Sequence, residues 1–426
     1  MPRKFDYAST RPGYDPPRSC PTLADRRIAC MEAPRENAAA APRPDAAAVS
    51  IAIASGLAAA LVAIFLCVLP LTGSIAASRD YVVYWATGQQ LAHSANPYDA
   101  AAMDRLERSA GLDAGYGTLY MRNPPWALPL ALPLGFLPLR LGATLWSLAL
   151  LGCLAGSVLL LRPLLAGCGN QLLWLGLSFA PALVCVFMGQ TALFALLGLA
   201  IFLRVHRQRL FSAGGALWLC ALKPHLFLPF AAVLLVWIVV ERRYKILAGA
   251  VLSLAAGSAA AALLAPSPWR AYLAMMRAPS VQQEFVPCLA DALRLWLRPD
   301  AAWLQYLPAV LACLWALGYY WPRRTCWDWL RDGGLLLPVS LLAAPYCWLY
   351  DQGLAIPALL AAARGTRSRL LVAALALASL PIEASLVAGV RVISPIYLWT
   401  APAWLAWYLL ARAFPGSAPD GAAGAA

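Results

Sequence analysis

Three side chains stand out because the apolar stretches around them carry almost no charge. Asp80 lies in Ser78-Arg79-Asp80-Tyr81-Val82-Val83-Tyr84-Trp85, directly after Val49 to Ile75, a run of 27 uncharged residues. An acid flanked by aromatics at the edge of such a run has two readings. It is an interfacial carboxylate paired with Arg79 inside an aromatic belt, or a general base that takes a proton from a hydroxyl nucleophile. Lys223, one of only three lysines, sits beside Pro224 in the middle of an apolar stretch. It is a snorkelling side chain or a point charge for a phosphate. His225, one of three histidines, reads as a structural hydrogen-bonding residue. No second His, Cys or carboxylate stands at metal-ligand spacing, so no metal site and no cofactor is expected. Walker, GxGxxG and GxSxG signatures are missing, so a nucleotide-binding fold is not indicated. A transferase built this way needs another route for its donor, and a lipid-linked donor fits. The eleven cysteines are scattered without a CxxC pair and read as small core residues.

The elements that must position these residues are set by composition. The chain is 62% hydrophobic and 12% charged, against roughly 25% charged in soluble domains. About 20 apolar residues cross a bilayer core, and the runs are continuous, so they predict helices that satisfy their own backbone and not the alternating strands of a barrel. The net charge of +13 lies in the N-terminal tail and in short loops. That is the signature of loops kept on the cytoplasmic side, and no basic stripe with interleaved aromatics suggests nucleic acid. Residues 1–48 hold eight Arg/Lys, six Asp/Glu and many Pro and Ala, and read as a disordered cytoplasmic tail. Residues 413–426 read as a second structureless tail, leaving 49–412 as the membrane domain.

Topology follows from the basic loops. With the tail inside, Val49–Ile75 crosses outward and residues 76–140 form a first external region, in which Pro124 to Leu139, with five prolines, is a short interfacial or re-entrant segment. Leu141–Leu161 crosses inward. Three long apolar stretches are each broken near the middle: Gln171–Leu203 at Gly189–Gln190, Phe211–Val240 at Lys223–Pro224–His225, and Gly333–Ala363 at Pro345 through Gln352. Each is read as a hairpin of two short helices, the alternative being one tilted, kinked helix. Basic loops at 204–209, 242–245, 323–331 and 364–369, placed inside, leave the three tips outside with Asp80. Residues 266–302 form a second external loop. The expected architecture is an all-α polytopic bundle of about twelve transmembrane helices, with short broken helices meeting at the outer face. Polar residues at such tips are tolerated where they line a watery cavity.

At this point the chain resembles a family. Asp80-Tyr81-Val82-Val83-Tyr84-Trp85, Asn96-Pro97-Tyr98-Asp99, Arg122-Asn123-Pro124-Pro125-Trp126, Gly189-Gln190, Ala221-Leu222-Lys223-Pro224 and Ala344-Pro345-Tyr346-Cys347-Trp348 are similar in order and spacing to glycosyltransferase family 87. The resemblance covers roughly residues 50 to 410. It departs at Asn123, where the family often has Tyr, at Ala344, where it often has Ser, and after Trp348, where it often has His. The family belongs to the GT-C superfamily of membrane glycosyltransferases. The resemblance therefore implies a GT-C-like bundle in a bacterial plasma membrane, using a polyprenyl-phosphate-linked sugar donor at the extracytoplasmic face.

Site roles follow from that implication. Asp80 matches the superfamily's acidic position after the first span and is assigned as catalytic base. Lys223, with Arg122 as a second cation, is assigned to the departing lipid phosphate. Gln190 and Asp351, with Tyr84 and Trp348, are assigned to sugar and acceptor binding. One carboxylate without a second nucleophile implies direct inverting displacement of a hexose, mannose by the family's example, onto a glycan or glycolipid. A lipid-linked sugar flippase would share the spans and the buried polar residues, but paired pseudo-symmetric repeats would mark it and none is evident.

Overall fold

The computed structural model describes residues 80–415, apart from 114, 116, 166–170 and 367. The expected first span at 49–75, the tail at 1–48 and, beyond residue 415, the tail expected at 413–426 lie outside the described residues. The described part is helical, and its helices follow the apolar runs. In chain order they are α1 (Tyr81–Ala92), α2 (Ala100–Ser109), α3 (Leu139–Leu161), α4 (Gln171–Leu177), α5 (Ala180–Met188), α6 (Ala192–Val205), α7 (Leu210–Cys220), α8 (Leu228–Val240), α9 (Tyr244–Leu264), α10 (Pro268–Met276), α11 (Leu289–Leu297), α12 (Trp303–Tyr320), α13 (Leu336–Ala343), α14 (Ile356–Gly365), α15 (Arg369–Leu377), α16 (Ser379–Val387) and α17 (Thr400–Ala413). The proline-rich segment forms consecutive short turns over Pro125–Ala127, Leu128–Ala131 and Leu132–Phe136, because proline is accepted at the start of a helical turn and not inside a long helix.

Helix α6 is central. Leu193, Leu196, Leu199, Ala200, Phe202 and Leu203 are all buried, and a helix apolar all round belongs inside a bundle. It packs between α3 and α7, and α7 packs in turn on α9. The far face of α9 exposes Val251, Leu252 and Leu263, and α12 likewise exposes Val310, Leu311 and Leu314. Apolar surface of this extent requires a non-aqueous partner, and a bilayer supplies one. Three helical segments are long and apolar enough to cross: Leu139–Leu165, Tyr244–Leu264 and Arg369–Val387. The 21 residues of α9 span about 31 Å, the thickness of a hydrocarbon core. Shorter apolar helices include Pro125–Phe136, Ala192–Val205, Leu210–Cys220, Pro224–Val240 and Gly333–Ala343. The expected count of about twelve crossings is not reached by length among the described residues.

All three expected breaks are present, but their halves are not packed along each other as hairpins. Helix α5 packs mainly on the turn Leu349–Ala355 and α6 mainly on α3 and α7, although α6 also reaches that turn and α5 also reaches α3. Helix α7 packs mainly on α6 and α9 and α8 mainly on α12, although α8 also reaches α9. Helix α13 serves α8 and α12 while α14 serves α4, and both also reach α17. Each break thus lets one apolar stretch satisfy two sets of neighbours.

Helix α1 carries Asp80 at its start and is seated by backbone proximity. A Cβ at Gly88 would stand 2.5 Å from the carbonyl oxygen of Ala131, and one at Gly135 would meet the Gly88 carbonyl. Two glycines are needed for this approach, since small residues let backbones close where side chains would hold them apart. Of the described cysteines, Cys153, Cys185, Cys220, Cys288 and Cys347 are free and buried, as small core residues should be, Cys313 is free and half-buried, and Cys326 is disulfide-bonded.

Candidate active site

The breaks bring the polar residues together. Asp80 stands at the cap position of α1 and makes no capping bond with its side chain. Its Oδ2 instead accepts from Gln190 Nε2 at 2.8 Å. Gln190 is aimed there by the end of α5. Gly189 adopts φ +75°, the left-handed conformation that glycine takes without strain. The Gly189 and Gln190 amides close back on Val186 O and Cys185 O, and Trp146 Nε1 donates to the Gly189 carbonyl at 2.7 Å. The Gln190 oxygen accepts from Tyr84 Oη at 2.9 Å and from Lys223 Nζ at 3.0 Å. Two donors on that oxygen fix the amide orientation and leave its nitrogen to face Asp80.

Lys223 is buried in the gap between α7 and α8. Besides Gln190, it pairs with Asp351 Oδ1 at 2.7 Å, and Asp351 is 1% exposed. Asp351 Oδ2 accepts from the Trp348 amide at 3.0 Å, and Lys223 Nζ lies 4.9 Å from the centre of the Tyr350 ring. A buried pair with its remaining lone pairs bonded is the form in which charge is tolerated inside a protein. Asp351, expected to bind sugar hydroxyls, stands behind Lys223 with both oxygens engaged and is not among the residues that line the cavity. Lys223 is likewise not a bare cation but one already compensated from behind.

A cavity of about 1220 Å³ opens on this network, larger than the roughly 300–1,000 Å³ of ordinary ligand pockets. Asp80, Tyr84, Arg122, Asn123, Gln190 and Lys223 line it, with Trp348 and Tyr350 beside them. Leu183, Val184, Phe187 and Met188 from α5 line it as well, as do Leu386, Val387, Val390 and Val392 at and beyond the end of α16, with the charged Glu383 and Arg391 among them. Tyr84 stacks on Trp146 with ring centres 5.3 Å apart, and Trp348 on Tyr350 at 5.8 Å. Arg122 is paired with Glu284 of the segment 266–302, and both reach the cavity. Burial raises the Glu284 carboxyl above the ordinary carboxylate range; Arg122 opposes the rise, while Asp80 and Asp291 add to it.

Every sequence-assigned residue except Asp351 therefore lies on the cavity wall. Asn123 and Glu284 have structural parts that sequence reasoning did not find. Asn123 Nδ2 donates to Thr191 Oγ1 at 3.2 Å and to the Leu222 carbonyl at 3.0 Å, and Oδ1 accepts from Tyr84 Oη at 3.3 Å. One amide thus ties α1 and two of the breaks, and the Arg-Asn-Pro-Pro motif was its only signal. Glu284 had none. His225 lines the cavity and stacks on Tyr346 at 3.6 Å, but its Nε2 has no hydrogen-bond partner, so the expected hydrogen-bonding role is replaced by ring stacking. No group of three His, Cys, Asp or Glu at metal-binding distance occurs among the described residues.

The model of glycosyltransferase family 87 matches residues 120–345, more than half of the chain. This chain belongs to glycosyltransferase family 87. No curated protein and no solved structure matches it significantly. As a membrane glycosyltransferase it takes a sugar donor and an acceptor, and a cavity of mixed polar and apolar lining is the described site with room for both. The family match includes Arg122, Gln190, Lys223 and Glu284. Asp80 and the Trp348–Asp351 turn lie beyond its ends and are joined to it by hydrogen bonds: Asp80 through Gln190, Asp351 through Lys223.

Proposed function

We propose that this family 87 glycosyltransferase moves a hexose, with mannose as the first candidate, from a polyprenyl-phosphate donor to a glycan or glycolipid acceptor by inverting displacement. The reading places the bundle, of GT-C type, in a bacterial plasma membrane with the cavity on the extracytoplasmic face, where a lipid-linked donor substitutes for a nucleotide sugar. The donor is a co-substrate, and no cofactor is invoked. The observation that carries the reading is one cavity lined both by Asp80, Gln190, Lys223 and Arg122 and by the apolar side chains of α5 and the end of α16, with Glu383 and Arg391 as charged residues among the latter. An amphipathic donor with a charged phosphate, a sugar and a long hydrocarbon chain suits that mixed lining.

In this mechanism the acceptor hydroxyl lies against Asp80, which takes its proton as the oxygen attacks the anomeric carbon. The bond from that carbon to the phosphate oxygen breaks, and the lipid phosphate leaves with the electron pair. A placed base supplies about 10²- to 10⁴-fold, and fixed positive groups stabilise charge growing on the leaving oxygen. Arg122 and Lys223 take that part, with Asp351 as the residue that holds Lys223 in place. Gln190 couples base to cation, so acceptor and phosphate are oriented by one side chain. Tyr84 and Trp348 present aromatic surface to the sugar.

The test is sugar transfer in membranes carrying the protein, with radiolabelled polyprenyl-phosphate-mannose and candidate acceptors. Wild type should transfer label, and Asp80→Asn should not. Absence of transfer from every lipid-linked hexose would turn the reading toward transport of lipid-linked sugars.

A further inference from the structure

The two cations of the site are held in different ways. Lys223 is backed by Asp351, which is buried, off the cavity wall and anchored by a backbone amide. That pairing is built in. Arg122 is met by Glu284, which stands on the cavity wall itself and has no other hydrogen-bond partner among the described residues. The pair also joins two segments far apart in sequence, and Tyr120 Oη, donating to Ser280 Oγ at 2.8 Å, joins the same two segments beside it. Lys223 is thus already met by a carboxylate off the wall, and Arg122 by one on it. An incoming phosphodiester must compete with Glu284 for Arg122, since a guanidinium bonds a phosphate and a carboxylate through the same donors.

We propose that Glu284 is a gate on the donor phosphate site: it occupies Arg122 in the empty enzyme and releases it to the phosphate of the lipid donor. The inference rests on the lipid-phosphate reading above. It makes Glu284 a positioning and selecting residue, acting through Arg122. A lipid without a phosphate has nothing with which to displace Glu284, so the gate favours phosphate-bearing lipids over neutral ones. The groups that act on Glu284 are Arg122, Asp80 and Asp291. His225, which also lines the cavity, is acted on by Arg122. Asp291 is itself held by Arg294 at 3.1 Å and by the Val286 amide at 2.7 Å, which leaves Glu284 as the carboxylate able to exchange. Burial favours its protonated form, so a released Glu284 takes a proton from solvent and adds no charge beside the bound phosphate.

The experiment uses the full chain in lipid nanodiscs and the methyl phosphodiester of a polyprenol, which like the donor stays singly charged across the pH range used, with binding read by intrinsic tryptophan fluorescence. For wild type, affinity should weaken as pH rises above the ordinary carboxylate range, as the competing carboxylate, held up by burial, ionises. Glu284→Gln should bind about 10-fold more tightly near neutral pH, the effect of removing roughly one competing charge contact, and should lose the pH slope. Arg122→Gln should weaken binding, and Glu284→Gln added to it should give no further gain. If wild type binds without a pH slope, or Glu284→Gln binds no more tightly, the gate is wrong while the donor reading stands. The wild-type slope decides even where a variant folds poorly. If neither wild type nor Glu284→Gln binds the lipid phosphate, the donor reading falls and the gate with it. If Glu284→Gln loses turnover with donor binding unchanged, Glu284 works on the acceptor and the gate is overturned.

Discussion

Asp80 and Gln190, 110 positions apart in the chain, are joined by a hydrogen bond of 2.8 Å in which the glutamine amide donates to the carboxylate. The donor is oriented because Tyr84 and Lys223 both give to the Gln190 oxygen. An amide is the side chain that meets both demands, since it donates at one end and accepts at the other. Gln190→Glu should therefore be worse than Gln190→Ala: it sets a like charge against Asp80 and favours protonation of one of the two carboxyls. Turnover is the measurement. Glutamine and glutamate are nearly isosteric, so the comparison isolates charge from volume. Equal activity in Gln190→Glu and wild type would remove the coupling.

Asp80→Asn keeps the size of the side chain, and its amide oxygen can still accept from Gln190. It removes the base. Turnover should fall by about 10²-fold or more while donor binding changes little. Thermal unfolding in detergent should match wild type, which separates lost chemistry from lost fold. Near-normal turnover in a well-folded Asp80→Asn preparation would end the assignment.

The Lys223–Asp351 pair should behave as a buried ion pair. Asp351→Ala leaves a buried ammonium without its partner and should cost about 3–5 kcal/mol of stability, read as a lower unfolding midpoint. Lys223→Met with Asp351→Leu, which removes both charges, should recover much of that loss and none of the activity. Lys223→Arg should retain part of the donor use, whereas Lys223→Gln should not. Full activity in Lys223→Gln would leave the lysine a purely structural part.

Glu107 gives the segment between α2 and the proline-rich turns a pH dependence. The side chain is fully buried, its Oε2 accepts from the Leu119 amide at 3.0 Å, and Oε1 has no partner. Burial pushes its carboxyl up to about 7; Asp104 adds to the rise, while the Leu119 amide and Arg108 oppose it. The folded protein binds this proton more tightly than the unfolded chain, so Glu107 favours folding most at low pH. That contribution is lost as pH rises from the ordinary carboxylate range through about 7. Residues 117–120 line the cavity, so amide exchange at Leu119 should become faster, after correction for intrinsic rate, between about pH 5 and 8. Glu107→Gln should flatten that dependence. An unchanged slope in the variant would assign the effect to another group.

Sequence alone determined the helical membrane class, because long uncharged runs leave the backbone no other way to satisfy its hydrogen bonds in lipid. It also determined where the long stretches break. Gly189 and the Lys223-Pro224 and Pro345 signals act on their own backbone, and a local cause is readable locally. The meeting of Asp80, Gln190 and Lys223 was legible through the breaks and the family's spaced motifs. What only the tertiary structure decided is which side chain each of these meets. Asp351 belongs to Lys223 and not to the cavity, Asn123 ties α1 to two breaks, and Glu284 occupies Arg122. The halves of each broken stretch also differ in their main neighbours, while sharing some. These pairings depend on how helices are rotated and how distant loops are laid across them, and a shift of a few ångströms would exchange one partner for another without altering any local pattern.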